Sequence, residues 1–282
     1  MENMNKSTRG IKRFLRRDRF KWYLFRVIKS LREPFIRAEG PTVPVLIFGM
    51  QRSGTSMLLI LFNMHPQVKV YSEHPNSSLF QRHRIRSIDC LREHIAKTRY
   101  PFLAAKPVCD SHMASEIMDG LSGARALWAI RDYRDSALSS INRFASPEPV
   151  FESICNDRIG ETGWFGEGIP QEDIEILKSL YREERELSQF DLSCLVWWAR
   201  NRSFFHQRLQ DRKDVKVVSY EKLTGEINYI IRDISGFLDL DISEKQIGFI
   251  HGRSVGKGPY PELDSRVGKM CDQLYQQLCA LA

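Results

Sequence analysis

The chain has 282 residues, of which 42% are hydrophobic and 27% are charged, and its formal net charge is +7. These values fit a soluble globular protein with one domain of catalytic size. Its six cysteines include no C-x-x-C pair, and its seven histidines form no metal-ligand motif. We therefore expect neither a structural zinc site nor a secreted disulfide framework, and we expect a reducing, cytoplasmic location.

The basic charge is concentrated in the first 39 residues, which carry a formal charge of +8, whereas the remaining 243 residues sum to −1. Apolar residues recur among these cations at roughly helical spacing, which predicts a basic amphipathic arm over residues 1–40. The arm contains no run of about 20 apolar residues and no signal-peptide pattern. It either packs on the domain or contacts an anionic membrane surface or polyanion; nucleic acid is a weaker alternative, since no nucleic-acid motif is present.

Strand and helix patterns alternate over residues 41–282, which we interpret as one domain. A helix is predicted over 55–64, and a second over 192–209 contains Trp197 and Trp198, which we expect to pack in the core rather than to contact an acceptor. Such alternation predicts an α/β fold with a three-layer parallel sheet. The predicted strands are 43–48, 68–71, 102–106, 124–131 and 215–219.

Residues 146–189 interrupt this alternation with several prolines and glycines, followed by the polar run YREERE. A long irregular insert in a compact domain is usually a lid, a substrate-contact region or a disordered segment. We therefore predict that this insert shapes the acceptor pocket.

The stretch GMQRSGTS (residues 49–56) lies between the first predicted strand and a helix. Its glycine spacing is that of a triphosphate-binding loop, but Thr55 replaces the lysine and the cation stands earlier, at Arg52. A glycine-rich turn at a helix N terminus exposes backbone N–H groups that bind anions. The stretch therefore predicts a P-loop-like site for a compact anionic group that needs no metal.

A second motif, RDYRD (131–135), follows another apolar strand, and Ser139 lies eight residues after Arg131. In this order, the two motifs resemble those of sulfotransferases that use 3′-phosphoadenosine 5′-phosphosulfate (PAPS). Gln51 and Tyr133 replace prolines that are frequent in the family. A late YEKL segment (220–223) also resembles the family, and the resemblance spans about residues 43–260.

The resemblance implies two anion-binding groups of residues for the donor. Arg131 and Ser139 would bind the 3′-phosphate, although a surface ion pair of Arg131 with a neighbouring aspartate is the simpler alternative. Tyr220 would approach the adenine or only begin a helix, and Ser254 and Lys257 fall in the family's late cofactor-binding segment. The 5′-phosphosulfate would be held by Arg52, Ser53, Gly54, Thr55 and Ser56.

The family also implies a general base that takes the acceptor's proton. In the cytosolic branch this base is a histidine, where the present chain has Val108. A second branch includes the tyrosylprotein sulfotransferases and many bacterial enzymes that act on carbohydrates and lipids. In that branch the base is a glutamate after an H-P-x-V segment, and Glu73 matches this glutamate. His74 is the alternative base, and Lys106 would stabilise the leaving group. The simpler interpretations are that Glu73 is an ordinary surface glutamate and that Lys106 is a solvated lysine.

The sequence therefore predicts PAPS-dependent transfer of a sulfuryl group to a hydroxyl acceptor, which could be a carbohydrate, a lipid or another small molecule. Arg52 would act in catalysis as well as in donor binding. The leading alternative is a small-molecule kinase or another ATP-using loop protein, which would need a lysine near the loop and an acidic Mg²⁺ ligand. A membrane-associated binding protein with a vestigial nucleotide site is the non-enzymatic alternative.

Overall fold

The structure is a computed structural model that describes residues 29, 31, 33–73, 77–182, 187–248, 250, 255–256 and 258–282. The helix expected in the basic arm lies almost entirely outside these residues, as do His74, Ser254 and Lys257. Within the described ranges, no helix combines the length and the apolar character that crossing a membrane requires.

A central sheet of five parallel strands forms the middle layer. Its strands are β1 (Val43–Gly49), β2 (Val68–Tyr71), β5 (Phe102–Ala105), β6 (Arg125–Ile130) and β7 (Val215–Ser219). Their order is β2-β5-β1-β6-β7, so β1 is central and β2 and β7 are edge strands. Leu46 of β1 lies opposite Ala105 on one side and Ala126 on the other. A short antiparallel hairpin, β3 (Phe80–Gln81) and β4 (Arg84–Ile85), lies apart from this sheet.

Helices follow most of the strands, and short 3-10 helices cover Glu33–Phe35, Val108–Met113, Ile159–Phe165 and Leu209–Asp211. The α-helices are α1 (Thr55–Asn63), α2 (Ile88–Lys97), α3 (Ala114–Asp119), α4 (Tyr133–Ile141), α5 (Glu148–Cys155), α6 (Gln171–Arg182), α7 (Gln189–His206), α8 (Tyr220–Gly225), α9 (Ile227–Leu238), α10 (Glu244–Ile247) and α11 (Ser265–Cys279).

Two hydrophobic clusters cover the two faces of the sheet. On one face, α1 and α9 pack against residues such as Ile47 and Leu127. On the other face, α3, α4, α7 and α11 pack against residues such as Phe48 and Trp128. β1 is buried on both faces, as expected for a parallel strand with an uninterrupted apolar sequence. The predicted three-layer α/β fold is therefore confirmed.

Helix α7 is the long helix predicted near residues 192–209, and it begins three residues earlier. Ser188 starts it with a capping box, in which its side chain accepts from the Asp191 amide and the Asp191 carboxylate accepts from the Ser188 amide. Trp197 and Trp198 are 0% and 6% exposed. The prediction that these tryptophans pack in the core is confirmed.

The expectation of an irregular insert over residues 146–189 is wrong for much of its length, because α5, the 3-10 helix Ile159–Phe165 and α6 lie within it. Asp173 of α6 is fully buried, and it accepts hydrogen bonds from Arg202 (2.9 Å) and His206 (2.7 Å) of α7. The prolines that interrupt the sequence pattern stand at the helix starts, where proline is tolerated. The insert is thus a helical layer docked on α7.

Trp128 is a sensitive test of this packing. Its ring is fully buried, and the centroids of the Trp128 and Phe204 rings are 5.3 Å apart. Its Nε1 donates a hydrogen bond to Asn201 Oδ1 at 3.3 Å. We expect Trp128→Ala to lower the free energy of unfolding by about 3–5 kcal/mol in urea denaturation, because it leaves a large cavity. Trp128→Phe should cost clearly less. Equal losses in the two variants would contradict this account of the core.

Candidate active site

The loop after β1 ends in a helix N terminus that has no side-chain cap. Gly54 is the N-cap residue of α1 in the left-handed conformation (φ 87°). The amides of Gly54, Thr55 and Ser56 donate no hydrogen bond to any described residue. The buried Ser53 hydroxyl likewise has no partner in the described part of the chain. Unused donors at a helix N terminus are an anion-binding arrangement, so these residues fit a phosphate or sulfate group.

Tyr220 packs against Gly54 of this loop. It begins α8, is 6% exposed, and lies so close to Gly54 that a Cβ added there would be 2.5 Å from Tyr220 Cδ2. The Arg131 guanidinium lies 4.7 Å from the centre of the same ring. The structure therefore gives Tyr220 the position of a helix-start aromatic residue, and its contact with adenine stays a prediction.

Arg131 lies at the end of β6, is buried, and pairs with Asp135 at 3.4 Å. Its Nη1 donates to the backbone oxygen of Arg52 at 3.2 Å, so the second motif touches the first. Asp135 also accepts from the Gly256 amide (2.9 Å) and the Tyr260 hydroxyl (3.0 Å). Gly256 belongs to the predicted late donor segment, and this hydrogen bond connects Gly256 itself to the carboxylate that pairs with Arg131.

A third arginine joins Arg52 and Arg131. Arg52 Nε donates to the Ser139 hydroxyl at 2.8 Å. Partial burial lowers the pKa of Arg52, and the charges of Arg131 and Arg143 lower it further. The sequence motifs do not single out Arg143, which lies two residues after the end of α4. These like charges repel one another, so a bound anion would stabilise the group.

Glu73 and Lys106 form an ion pair at the carboxyl ends of two adjacent strands, β2 and β5. Glu73 Oε2 accepts from Lys106 Nζ at 2.8 Å, and their side chains are only 16% and 12% exposed. The preceding H-P-x-V segment has a structural role as well, because His65 Nδ1 accepts from the Gln67 amide at 3.1 Å in the turn before β2. The structure brings the two predicted catalytic residues together; their roles stay predictions.

Gln51 and Cys109 connect this pair to the loop. Gln51 Nε2 lies 3.4 Å from Cys109 Sγ, and burial raises the pKa of Cys109 to about 11, with the Glu73 charge as the second cause. One carboxylate oxygen of Glu73 and the Gln51 amide oxygen are buried without a partner among the described residues. Buried polar atoms are almost always hydrogen-bonded. These oxygens therefore mark a place for a hydroxyl-bearing ligand.

Two further residues hold the site and have no signal in the motifs. The Ser111 hydroxyl accepts from the Gly49 amide at 3.0 Å, and it can donate to the Gly49 or Val108 carbonyl, each 2.9 Å away. The buried Arg200 guanidinium lies 3.4 Å from the carbonyl oxygens of Val108 and Cys109. Ser111 and Arg200 thus hold the start of the loop against the segment after Lys106. These contacts join residues that are far apart in the sequence.

Comparisons with known proteins show which family and which solved structures the chain resembles. A family model described as the sulfotransferase domain matches residues 43–254. No curated protein matches the chain. A sulfotransferase from Alicyclobacillus acidocaldarius has a TM-score of 0.50 at 15% identity, covering 86% of this chain and 94% of its own. The sulfotransferase domain of the Synechococcus PCC 7002 olefin synthase has a TM-score of 0.44 at 13% identity, covering 88% of this chain and 97% of its own. Mouse sulfotransferase SULT7A1, complexed with PAP, has a TM-score of 0.38 at 11% identity, covering 86% of this chain and 67% of its own.

The sheet, its anion-binding loop and the cations around it form an α/β fold with a candidate site for an anionic ligand at the carboxyl ends of its strands. Because the family model covers most of the sequence, the chain belongs to the sulfotransferase family. The sulfotransferase predicted from the two motifs is therefore confirmed.

Gly54 gives a direct test of the loop geometry. Gly54→Ala should lower the free energy of unfolding by at least about 1 kcal/mol, since its positive φ and the Tyr220 ring both oppose a Cβ. Gly236→Ala is the matched control, because nothing lies within 4 Å of its added Cβ in helix α9. That control should be neutral or stabilising by up to about 1 kcal/mol. A neutral Gly54→Ala would mean that the loop is not held as described.

Proposed function

We propose that the protein transfers the sulfuryl group of PAPS to a hydroxyl acceptor, a carbohydrate, a lipid or another small molecule, with Glu73 as the general base. The partly buried Glu73–Lys106 pair, at 2.8 Å and next to the anion-binding loop, carries this proposal. A base must lie within hydrogen-bond reach of the proton it takes. The free Glu73 oxygen, which has no partner in the described residues, is available for that contact.

The donor would be held at two places. The amides of the loop and the side chains of Arg52, Ser53, Thr55 and Ser56 suit the 5′-phosphosulfate, because they form an uncapped helix N terminus with an arginine beside it. The 3′-phosphate would lie against Ser139 with Arg131, and we add Arg143 as a third cation there.

In the transfer step, the acceptor oxygen would form a bond to sulfur while the bond between sulfur and the bridging phosphate oxygen breaks. Glu73 would take the proton of the acceptor hydroxyl. Lys106 and Arg52 would stabilise the negative charge that develops on the bridging oxygen of the departing nucleotide, adenosine 3′,5′-bisphosphate (PAP).

Two residues near the proposed base, Val108 and Cys109, are less suitable. Val108, which stands where the cytosolic branch has its histidine, is buried and cannot take a proton. Burial keeps the Cys109 thiol protonated at neutral pH, since its pKa is raised to about 11. His74, the alternative predicted from the sequence, lies outside the described residues.

Ligand-dependent melting separates the proposed donor from ATP. At about 100 times its dissociation constant, PAP should stabilise the protein by roughly 2.7 kcal/mol. ATP with Mg²⁺ should stabilise it less, because Thr55 replaces the lysine that holds a triphosphate chain. Thermal melts with each ligand and without ligand provide the measurement. Stabilisation by ATP and Mg²⁺ alone would overturn the proposed donor and favour a kinase.

Substitutions at the two ends of the site should have different effects. Glu73→Gln should lower kcat by about 10²–10⁴-fold, since it removes the base, and should leave the Kd of PAP nearly unchanged. Ser139→Ala, on the donor side, should weaken PAP binding and spare kcat at saturating donor. Transfer of radiolabelled sulfate to a panel of sugars, alcohols and phenols measures kcat, and calorimetry measures Kd. Full activity of Glu73→Gln would place the base elsewhere, with His74 next.

A further inference from the structure

A surface that is both apolar and basic lies where the basic arm joins the domain. Leu31 is 69% exposed and Phe35 is 84% exposed. Arg37 follows Phe35 by two residues and, with Arg92 and Arg99, lines a cavity of about 780 Å³ that has no acidic residue in its lining. We call this surface the arm face and define it by Leu31, Phe35, Arg37, Arg92 and Arg99.

The apolar and cationic parts of the arm face adjoin each other. Pro34 lines one cavity together with Arg99, and Arg37 lines the neighbouring cavity together with the same arginine. Phe35 stands between Pro34 and Arg37 in the chain. Its exposed ring therefore lies among the exposed guanidinium groups of this surface.

Positive charge exceeds negative charge around the arm face. Three nearby carboxylates are already paired: Glu33 with Lys69, Asp89 with Arg92 and Glu93 with Lys97. Arg37 and Arg99 make no ion pair with any residue in the described ranges, and neither does the exposed Glu39, which leaves two cations against one carboxylate. Most of the excess precedes this surface, because residues 1–28 contain nine Lys and Arg residues and two acidic residues.

The end of the arm is held at the amino edge of the sheet, where the five strands begin. Lys29 Nζ donates to the backbone oxygen of Asn63, the last residue of α1, at 3.0 Å. It also lies over the ring of Tyr100, which precedes β5, at 5.9 Å from the ring centre. Lys69, the second residue of β2, donates to Glu33 at 2.5 Å. The basic segment that precedes Lys29 is therefore joined to the domain at this edge.

The candidate active site lies at the opposite edge. Strand β1 begins at Val43, which lines the cavity of the arm face, and it ends at Gly49, where the anion-binding loop begins. Its seven residues, at about 3.3 Å each, separate the two edges by about 20 Å. A flat partner on the arm face therefore leaves the loop and the Glu73–Lys106 pair uncovered.

We infer that the arm face, together with the basic segment 1–28, binds the surface of an anionic lipid bilayer and holds the candidate active site on the side away from it. Exposed apolar side chains among cations suit the membrane interface, because the cations meet anionic headgroups while the apolar groups enter the acyl boundary. A soluble polyanion would satisfy the arginines but would give Leu31 and Phe35 no apolar environment.

Vesicle flotation with the full chain provides the test. The protein should float with vesicles of equal parts phosphatidylcholine and phosphatidylglycerol, and not with phosphatidylcholine alone. Phe35→Ser should weaken binding by about tenfold, because one phenyl ring no longer enters the bilayer, and Leu31→Ser should act in the same direction. Arg99→Glu should weaken binding by at least about fivefold, because it removes one attraction and adds one repulsion.

Two matched controls lie toward the carboxyl edge. Arg82→Glu makes the same change in net charge at the exposed tip of the β3–β4 hairpin, where the next strand contacts Asp110 after β5. Tyr229→Ser removes an exposed aromatic ring from the first turn of α9, whose other end contacts Arg125 at the start of β6. Both variants should bind the vesicles as the unaltered protein does.

Absence of binding to the anionic vesicles, or equal losses in the control and arm-face variants, would overturn the inference. Dextran sulfate, a soluble polyanion, gives a further comparison. Phe35→Ser should bind it as tightly as the unaltered protein while losing affinity for vesicles. If Phe35→Ser and Leu31→Ser both kept full affinity for vesicles, the surface would be a general polyanion site, against the inference. Melting temperatures close to that of the unaltered protein establish that each variant is folded.

Discussion

The buried ion pair between Arg131 and Asp135 joins the parts of the active site. Arg131 follows the last residue of β6, and Asp135 lies four residues later on α4, so the pair closes the turn from strand to helix. The backbone oxygen of Arg131 accepts from Trp197 of α7 at 3.1 Å. The guanidinium reaches the Arg52 backbone, and the carboxylate holds Gly256. Because removing either charge would leave the other buried without its partner, the loop, the core helix and the late segment all depend on this pair.

The parallel sheet explains why the chemical groups meet. All five strands point the same way, so the residues that follow them lie at one edge of the sheet. The loop follows β1, Glu73 follows β2, Lys106 follows β5 and Arg131 follows β6. Neighbouring strands thus present the Glu73–Lys106 ion pair on one side and the cations Arg52 and Arg131 on the other. That separation matches a transfer reaction, in which the acceptor and the donor approach from different sides.

Local patterns predict most of the fold because buried strands and amphipathic helices have distinct apolar periods. The strands at 68–71 and 215–219 have the predicted bounds, and α1 ends one residue early. The insert is the exception. Its prolines and glycines resemble loop signals, but Pro149 lies in the first turn of α5, where its missing N–H costs nothing. The burial of Asp173 against α7 depends on distant residues, which periodicity cannot show.

The sequence by itself determined the family and the anion-binding loop, because these depend on short-range spacing along a strand, a turn and a helix. Only the tertiary structure decided which side chains from different elements meet. It brought Lys106 and Ser139 into hydrogen bonds with Glu73 and Arg52, respectively, and packed the Tyr220 ring against Gly54. Contacts between residues far apart in the chain are set by strand order and packing, and neither is written in local sequence.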